Sequence, residues 1–131
     1  IGYARREATV GEAVDLGAVD TATCDLRVAV SAADIVVLCT PIGQMAALSR
    51  ACAPHLRSGA VVTDVGSVKG PVVESLEPIF QAAECHFVGS HPMAGSDKTG
   101  VAAARCESCC HSPSSATSWR RSGSPSADSR D

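Results

Sequence analysis

His91 is the residue whose type and position best suit chemistry, because it directly follows a short apolar stretch, residues 86–89, and is held by Pro92. Imidazole titrates near neutral pH and can accept a proton, so a histidine placed in this way is suited to general base catalysis. Ser67 follows a second apolar stretch and could hydrogen-bond to His91 if the two stretches are neighbouring strands. A loop histidine without a partner is usually an ordinary surface residue. The pair therefore predicts a base, His91, oriented by Ser67.

The segment around Ser67 also has a plainer interpretation. Ser67 precedes a helical pattern and could cap that helix with its hydroxyl. Lys69 stands in the first turn, where the helix dipole disfavours a cation unless an anion is nearby. An ordinary capped helix and a ligand-binding loop explain this segment equally well.

Two arginines, Arg5 and Arg6, follow the short stretch of residues 1–3. In a dinucleotide-binding fold, the second strand normally ends at an Asp or Glu that binds the ribose hydroxyls of adenosine. Ala4 occupies that position here, whereas a neighbouring guanidinium can bind a 2′-phosphate through two hydrogen bonds. The segment therefore favours NADP, with NAD as the alternative. Two solvated arginines at the start of a helix are the non-functional interpretation.

An alternation of strands and helices positions these segments. The apolar runs at residues 35–39 and 60–65 are typical of parallel strands that are buried on both faces, and residues 86–89 predict a third strand. Apolar residues at helical spacing predict helices over residues 7–16, 42–56 and 69–83, the first of which ends at Gly17, and Asp25 is placed to cap a short helix over residues 25–33. The predicted fold class is α/β, a parallel sheet with crossover helices. Ligands of such sheets bind beyond the carboxyl ends of the strands.

Composition excludes several classes of function. A chain of 131 residues can form one domain, and its net charge of −3 is too small to argue for nucleic acid or an anionic membrane as a partner. No apolar run reaches the roughly 18–20 residues of a transmembrane helix. Seven irregularly spaced cysteines argue against a disulfide framework and for a reducing, cytoplasmic location.

Residues 106–131 differ from the rest of the chain. They contain nine serines and no Val, Leu, Ile, Met, Phe or Tyr, so they cannot bury enough apolar surface to offset the entropy of ordering. We expect one domain over residues 1–105 and a disordered, out-of-frame tail over residues 106–131. Cys106, Cys109 and Cys110 offer a zinc-ligand spacing, but a second ligand pair on a folded unit is missing, so we expect no metal.

The glycine loop that would bind a pyrophosphate is not in the sequence. Residues 95–100 imitate a phosphate loop, but Val101 and Ala102 stand where Lys and Ser or Thr are needed. If residues 1–3 end the second strand of a dinucleotide-binding fold, the loop lies about 20 residues before the acidic position and therefore upstream of Ile1. We expect the chain to be a fragment that lacks this loop and the first strand.

Three motifs occur along the chain in this order: DIVVLCTP, VVTDVGSVKG and FVGSHPMAGSDKTGV. With these motifs, residues 1–104 resemble the prephenate dehydrogenase family, which includes arogenate and cyclohexadienyl dehydrogenases. The third motif is the most specific, whereas the first is shared by many related dehydrogenases. The resemblance implies an incomplete Rossmann-type domain that lacks its first strand and the C-terminal helical dimerisation domain. It also implies that the full-length protein is a homodimer.

The activity implied by the resemblance is oxidative decarboxylation of prephenate to 4-hydroxyphenylpyruvate, or of arogenate to tyrosine, with hydride transfer to NAD(P)+. By resemblance, His91 accepts the proton of the substrate hydroxyl and Ser67 orients both groups. Thr40 and Pro41 match the turn beside the nicotinamide and ribose, and Asp97 matches an acidic residue at the mouth of the site. Because the glycine loop and helical domain are missing, we expect the chain alone to be inactive.

Two other functions remain open. A different NAD(P)-dependent enzyme on the same fold, of the β-hydroxyacid dehydrogenase type, is one; the HPMAG and GSVKG motifs argue against it. The other is a nucleotide-binding remnant without catalytic activity.

Overall fold

The computed structural model describes residues 1–92, which alternate between short strands and helices. The strands are β1 (Gly2–Tyr3), β2 (Ala22–Thr23), β3 (Ile35–Leu38), β4 (Val61–Asp64) and β5 (His86–Val88). The helices are α1 (Glu7–Asp15), α2 (Leu26–Val30), α3 (Ile42–Cys52) and α4 (Lys69–Ala82), with a 3₁₀ turn at Ala53–His55. The predicted α/β class is confirmed. Asp97 and the predicted tail lie outside the described residues.

All strand pairs are parallel, but the strands form two sheets. β1 pairs with β2, and the second sheet has the order β3-β4-β5. In residues 1–92, no strand joins β1 to β3, so each of them has a neighbour on one side only. The predicted parallel orientation of the strands is therefore correct. The strands form two sheets, however, where the sequence predicted one. β2 was not predicted, because two residues carry no recognisable period.

The helix boundaries follow local chemistry. α1 ends where Gly17 adopts a φ of 66°, with amides 17 and 18 donating to the carbonyls of Val14 and Ala13, which is a Schellman motif. The Asp25 carboxylate caps α2 by accepting from the Val28 amide at 3.2 Å, as predicted. α2 ends at Val30, earlier than expected, in a turn closed by a hydrogen bond from the Ala33 amide to the Val30 carbonyl.

α3 is shorter than the helix predicted over residues 42–56. It ends at Cys52, and the chain continues as the 3₁₀ turn Ala53–His55. Pro54 explains the difference, because proline has no amide hydrogen for an α-helical bond and its ring clashes with the carbonyl four residues earlier. The tighter 3₁₀ geometry ends the helix at this point.

The core lies between the β3-β4-β5 sheet and the two helices α3 and α4. Its fully buried side chains include Met45, Val62 and Phe80, and the Phe80 ring stacks on Phe87 with the centroids 5.8 Å apart. The prediction that β3 is buried on both faces is wrong. Ile35 and Val37 are 65% and 51% exposed, because no described helix covers the second face of this sheet.

Replacement of Phe80 by Ala tests this core. We expect Phe80→Ala to lower the free energy of unfolding by about 3–5 kcal/mol, through lost burial and the cavity that remains. Urea unfolding monitored by circular dichroism measures the loss. Leu16→Ala is the control, since Leu16 is 56% exposed and should change stability little. A loss of less than about 1 kcal/mol for Phe80→Ala would contradict its central place in the core.

Candidate functional site

The residues predicted to do chemistry follow four parallel strands. Ala4 follows β1, Thr40 follows β3, Gly66 follows β4 shortly after its end, and Ser90 follows β5. Parallel strands present their carboxyl ends at the same edge of a sheet, which is where ligands of α/β proteins bind. Thr40, Gly66 and Ser90 therefore lie along the expected ligand-binding edge of the β3-β4-β5 sheet, and Ala4 lies at the carboxyl end of β1 in the other sheet.

A cleft of about 920 Å³ opens between the end of β1 and the end of β3. The five residues predicted to contact a cofactor all line it: Ala4, Arg5, Arg6, Thr40 and Pro41. Residues that were not predicted complete the lining, among them Thr9 on α1, Leu26 on α2 and Gln44 on α3. The volume lies within the range of about 300–1,000 Å³ usual for small-molecule sites.

The polar groups of this cleft are free to bind a ligand. The hydroxyl oxygen of Thr40 is buried and has no hydrogen-bond partner within residues 1–92. A buried hydroxyl without a hydrogen-bond partner lowers the stability of the fold, and a polar ligand atom in the cleft would supply that partner. Arg5 and Arg6 are exposed, and neither forms an ion pair with another described residue. The cleft thus offers two unpaired guanidinium groups to an anion.

A second polar group, which we call the Asp64 cluster, comprises Asp64, Gly66, Lys69 and Ser90. Asp64 ends β4, and its side chain is fully buried. Its carboxylate accepts the Gly66 amide at 2.8 Å and the Ser90 amide at 3.2 Å, and it forms an ion pair with the Lys69 ammonium. Lys69 also donates to the Ser90 carbonyl. The cluster therefore links the end of β4, the first turn of α4 and the residue before His91.

The electrostatic balance of the Asp64 cluster favours the charged carboxylate. Burial alone raises the pKa of Asp64, but the hydrogen bonds from Lys69, Gly66 and Ser90 and the charge of Lys69 outweigh it, so the pKa lies below its ordinary value. The Asp64 carboxylate also explains why a cation, Lys69, is tolerated in the first turn of α4. The anion that offsets the helix dipole in the first turn of α4 is a side chain of the protein itself.

Ser67 and His91 follow the neighbouring strands β4 and β5, and both are exposed. Within residues 1–92 they form no hydrogen bond with each other, and neither lines the cleft. The expectation that Ser67 caps α4 is wrong. Val68 holds the N-cap position, and no side chain of residues 1–92 caps this helix.

Asp64 is the site residue that sequence reasoning missed. Its signal was present: an Asp ends the apolar run VVTD, and Lys69 follows five residues later. The run was interpreted only as a strand, so its charged last residue was not weighed. Among residues 1–92, no three His, Cys, Asp or Glu side chains are grouped to hold a metal, and no helix is long and apolar enough to cross a membrane.

The ion pair of the Asp64 cluster makes a prediction about stability and pH. Lys69→Met should lower the free energy of unfolding by about 3 kcal/mol at pH 7, because a buried carboxylate loses its cation. In the native protein, the lowered pKa of Asp64 gives stability that is present above the unfolded pKa of about 3.9 and is lost as the pH falls through the folded value. The difference between the two proteins should therefore shrink towards pH 4 and below.

Urea unfolding of both proteins at several pH values measures this difference. Arg57→Met is the matched control, since it removes the cation of an exposed pair with Asp34 at the opposite edge of the sheet. An exposed pair contributes only about 0–1 kcal/mol. A Lys69→Met loss that is as small as the control, or that does not change with pH, would contradict the buried pair.

Comparisons with known proteins agree with this geometry. The sequence model of the family described as "Prephenate dehydrogenase, nucleotide-binding domain" matches residues 1–114. The prephenate dehydrogenase of Lactococcus lactis subsp. cremoris is 42% identical over 73 residues, which are 55% of this chain and 21% of that protein. The cyclohexadienyl dehydrogenase of Zymomonas mobilis is 38% identical over 88 residues, 67% of this chain and 29% of that protein.

Solved structures give the same family. Synechocystis arogenate dehydrogenase has a TM-score of 0.72 at 36% identity, covering 79% of this chain and 36% of that one. Prephenate dehydrogenase from A. aeolicus, in complex with hydroxyphenyl propionate and NAD+, has a TM-score of 0.69 at 36% identity, covering 77% of this chain and 35% of that one. The chain thus spans between a fifth and just over a third of the length of these relatives. It belongs to the prephenate dehydrogenase family and corresponds to part of the nucleotide-binding domain of that family.

Proposed function

We propose that this chain is the nucleotide-binding part of an NAD(P)+-dependent dehydrogenase of tyrosine biosynthesis, which oxidatively decarboxylates prephenate or arogenate. The observation that carries the proposal is the cleft between β1 and β3. It brings the five predicted cofactor residues together at the same strand edge from which His91 emerges. The names of the relatives support the choice of substrates, because they include prephenate, arogenate and cyclohexadienyl dehydrogenases.

The residues of the cleft fit a dinucleotide. The unpaired hydroxyl of Thr40 is available to a ribose or amide group, and Arg5 and Arg6 are available to a phosphate. Because Ala4 brings no carboxylate to this place, residue 4 does not repel a 2′-phosphate. We infer a preference for NADP+ over NAD+. The bound dinucleotide supplies the acceptor for the hydride.

His91 is the proposed general base. It would accept the proton of the substrate hydroxyl while the carbon that bears this hydroxyl is oxidised, and loss of CO2 would then make the ring aromatic. Ser67 would orient the hydroxyl and the imidazole, which requires the two exposed side chains to approach each other when substrate binds. Apo geometry does not exclude such a pair, since catalytic hydrogen bonds often tighten only in the complex. Asp97, at the mouth of the site, is a further proposal.

Two expectations extend the proposal to the whole protein. We infer a homodimer from the family resemblance and a cytoplasmic location from the irregularly spaced cysteines. The β-hydroxyacid type of dehydrogenase and the non-catalytic remnant stay as alternatives, and the next experiment separates them from the proposal.

The activity can be tested in a chimaera in which residues 1–92 replace the matching segment of the A. aeolicus prephenate dehydrogenase. We expect the chimaera to form NAD(P)H from prephenate or arogenate. His91→Asn should lower kcat by roughly 10²–10⁴-fold, the usual size of a general-base contribution, with little change in the KM for the cofactor. Absorbance at the reduced nicotinamide band measures both constants.

His86→Asn is the matched control, since His86 is an exposed histidine at the start of β5, away from the carboxyl ends of the strands. It should keep kcat within about twofold, as expected for a surface substitution away from the site. A folded chimaera that oxidises a β-hydroxyacid instead, or oxidises nothing, would contradict the proposed activity. Unchanged turnover in His91→Asn would remove His91 from the mechanism.

Cofactor preference can be measured in the chain itself. Adenosine 2′,5′-bisphosphate carries the 2′-phosphate of NADP+, whereas adenosine 5′-phosphate lacks it, and neither needs the pyrophosphate loop. We expect the bisphosphate to bind roughly ten- to a hundredfold more tightly, because one charge-assisted hydrogen bond contributes about 1.5–3 kcal/mol. Titration followed by NMR at residues 4–9 and 40–44 measures both affinities.

Arg5→Ala should remove most of this difference, whereas Arg50→Ala, which changes an exposed arginine of α3 outside the cleft lining, should not. Equal affinity of the unsubstituted chain for the two nucleotides would overturn the preference for NADP+.

A further inference from the structure

Ser90 is held from several sides although it lies in no strand. Its amide donates to Asp64 Oδ1 at 3.2 Å, and its hydroxyl donates to the backbone carbonyl of Asp64. The hydroxyl of Thr63 lies 3.1 Å from Ser90 Oγ, and the Lys69 ammonium binds the Ser90 carbonyl. Both backbone polar groups and the side chain of Ser90 are therefore fixed by β4 and α4.

His91, by contrast, has no hydrogen bond or ion pair of its own among the described residues. It is exposed and directly follows Ser90. The backbone position from which its imidazole extends is therefore determined by the bonds of Ser90. Among these bonds, only the one donated by Lys69 is accepted by the carbonyl of the Ser90–His91 peptide.

Two glycines make this arrangement sterically feasible. A Cβ at Gly89 would lie 2.9 Å from Val73 Cγ2 and 3.7 Å from Lys69 Cδ, and a Cβ at Gly66 would lie 3.0 Å from Asp64 Oδ2. A side chain at position 89 would therefore require the Val73 side chain of α4 to move. The close approach brings the Lys69 stem alongside the chain that leads to His91.

We propose that Lys69 is a positioning residue for His91: by bridging the Asp64 carboxylate to the Ser90 carbonyl, it fixes the peptide that carries the base. This inference rests on the proposed function, in which His91 is the base. A buried ion pair is in general no more stabilising than well-packed apolar side chains of similar size. A pair at the ligand-binding edge, tied to the residue before the base, is better explained by placement than by stability.

The other role open to Lys69 is direct binding of an anionic ligand. Its side chain is 30% exposed, and two of its three ammonium hydrogens are directed to Asp64 and Ser90. A positioning residue and a ligand-binding residue predict different kinetic effects, so the experiment separates them.

The first measurement uses the 131-residue chain and needs no activity. In Lys69→Met, hydrogen exchange of the Ser90 amide should become about tenfold faster or more, the size expected when a charge-assisted hydrogen bond is lost. The backbone order parameter of His91 should fall from about 0.85 towards 0.6. Exchange at Val62 and Phe87, within the sheet, reports the loss of global stability, whereas the backbone order parameters of these two residues should stay at about 0.85. Arg57→Met, which breaks the exposed pair with Asp34, should alter neither Ser90 nor His91.

A fall in order parameter that is uniform across β4 and β5 would show a role in stability alone and would overturn the proposal. So would an unchanged His91 order parameter, and so would a chain whose sheet amides show no protection at all. Failure of the proposed function would be a separate result. It would be seen if the unsubstituted chimaera formed no NAD(P)H, whatever the hydrogen-exchange rates of the chain are.

The second measurement places Lys69→Met in that chimaera. A positioning role predicts a kcat about tenfold lower or more with little change in either KM, since a misplaced base affects the reaction and not binding. A raised KM with kcat unchanged would show that Lys69 binds a ligand directly and would overturn the proposal.

Discussion

A carboxylate with no access to water is the constraint on which the ligand-binding edge of this protein depends. Asp64 is fully buried at the end of β4, and a buried charge must be matched by donors on every side. The donors come from three different segments: the Gly66 amide, the Lys69 ammonium and the Ser90 amide. To satisfy one side chain, the loop after β4, the start of α4 and the end of β5 must therefore hold a fixed relation to one another.

This constraint separates a half of the edge that is joined by hydrogen bonds from an open half. The Asp64 cluster holds the ends of β4 and β5, from which the proposed catalytic residues Ser67 and His91 emerge. In the cleft at the ends of β1 and β3, the buried Thr40 hydroxyl has no hydrogen-bond partner among residues 1–92, and Arg5 and Arg6 form no ion pair with another residue of that range. Such a division suits a dehydrogenase, because the base must be placed with precision while the cofactor site must stay available for exchange.

The sequence predicted the helices and strands that have a clear apolar pattern, and the helix ends that carry a characteristic glycine or capping residue. Apolar residues at helical spacing located α1, α3 and α4, short apolar runs located the strands β3 to β5, and Gly17 and Asp25 marked helix ends. The sequence did not reveal the exposure of Ile35 and Val37. An apolar run shows that both faces of a strand could be buried, but not that another element packs on each face. Asp64 was missed since its partners, Ser90 above all, are distant in sequence and meet only in the folded chain.

The most direct test of this account is the ionisation of Asp64 itself, followed through its carboxyl carbon by NMR as the 131-residue chain is titrated with acid. We expect the pKa of Asp64 to lie below its ordinary value, because the donors of Lys69, Gly66 and Ser90 outweigh the cost of burial. We also expect the Ser90 amide resonance to shift with the same midpoint, since that amide donates to the carboxylate. A pKa above the ordinary value would show burial without its compensating donors and would contradict the cluster on which the site is built.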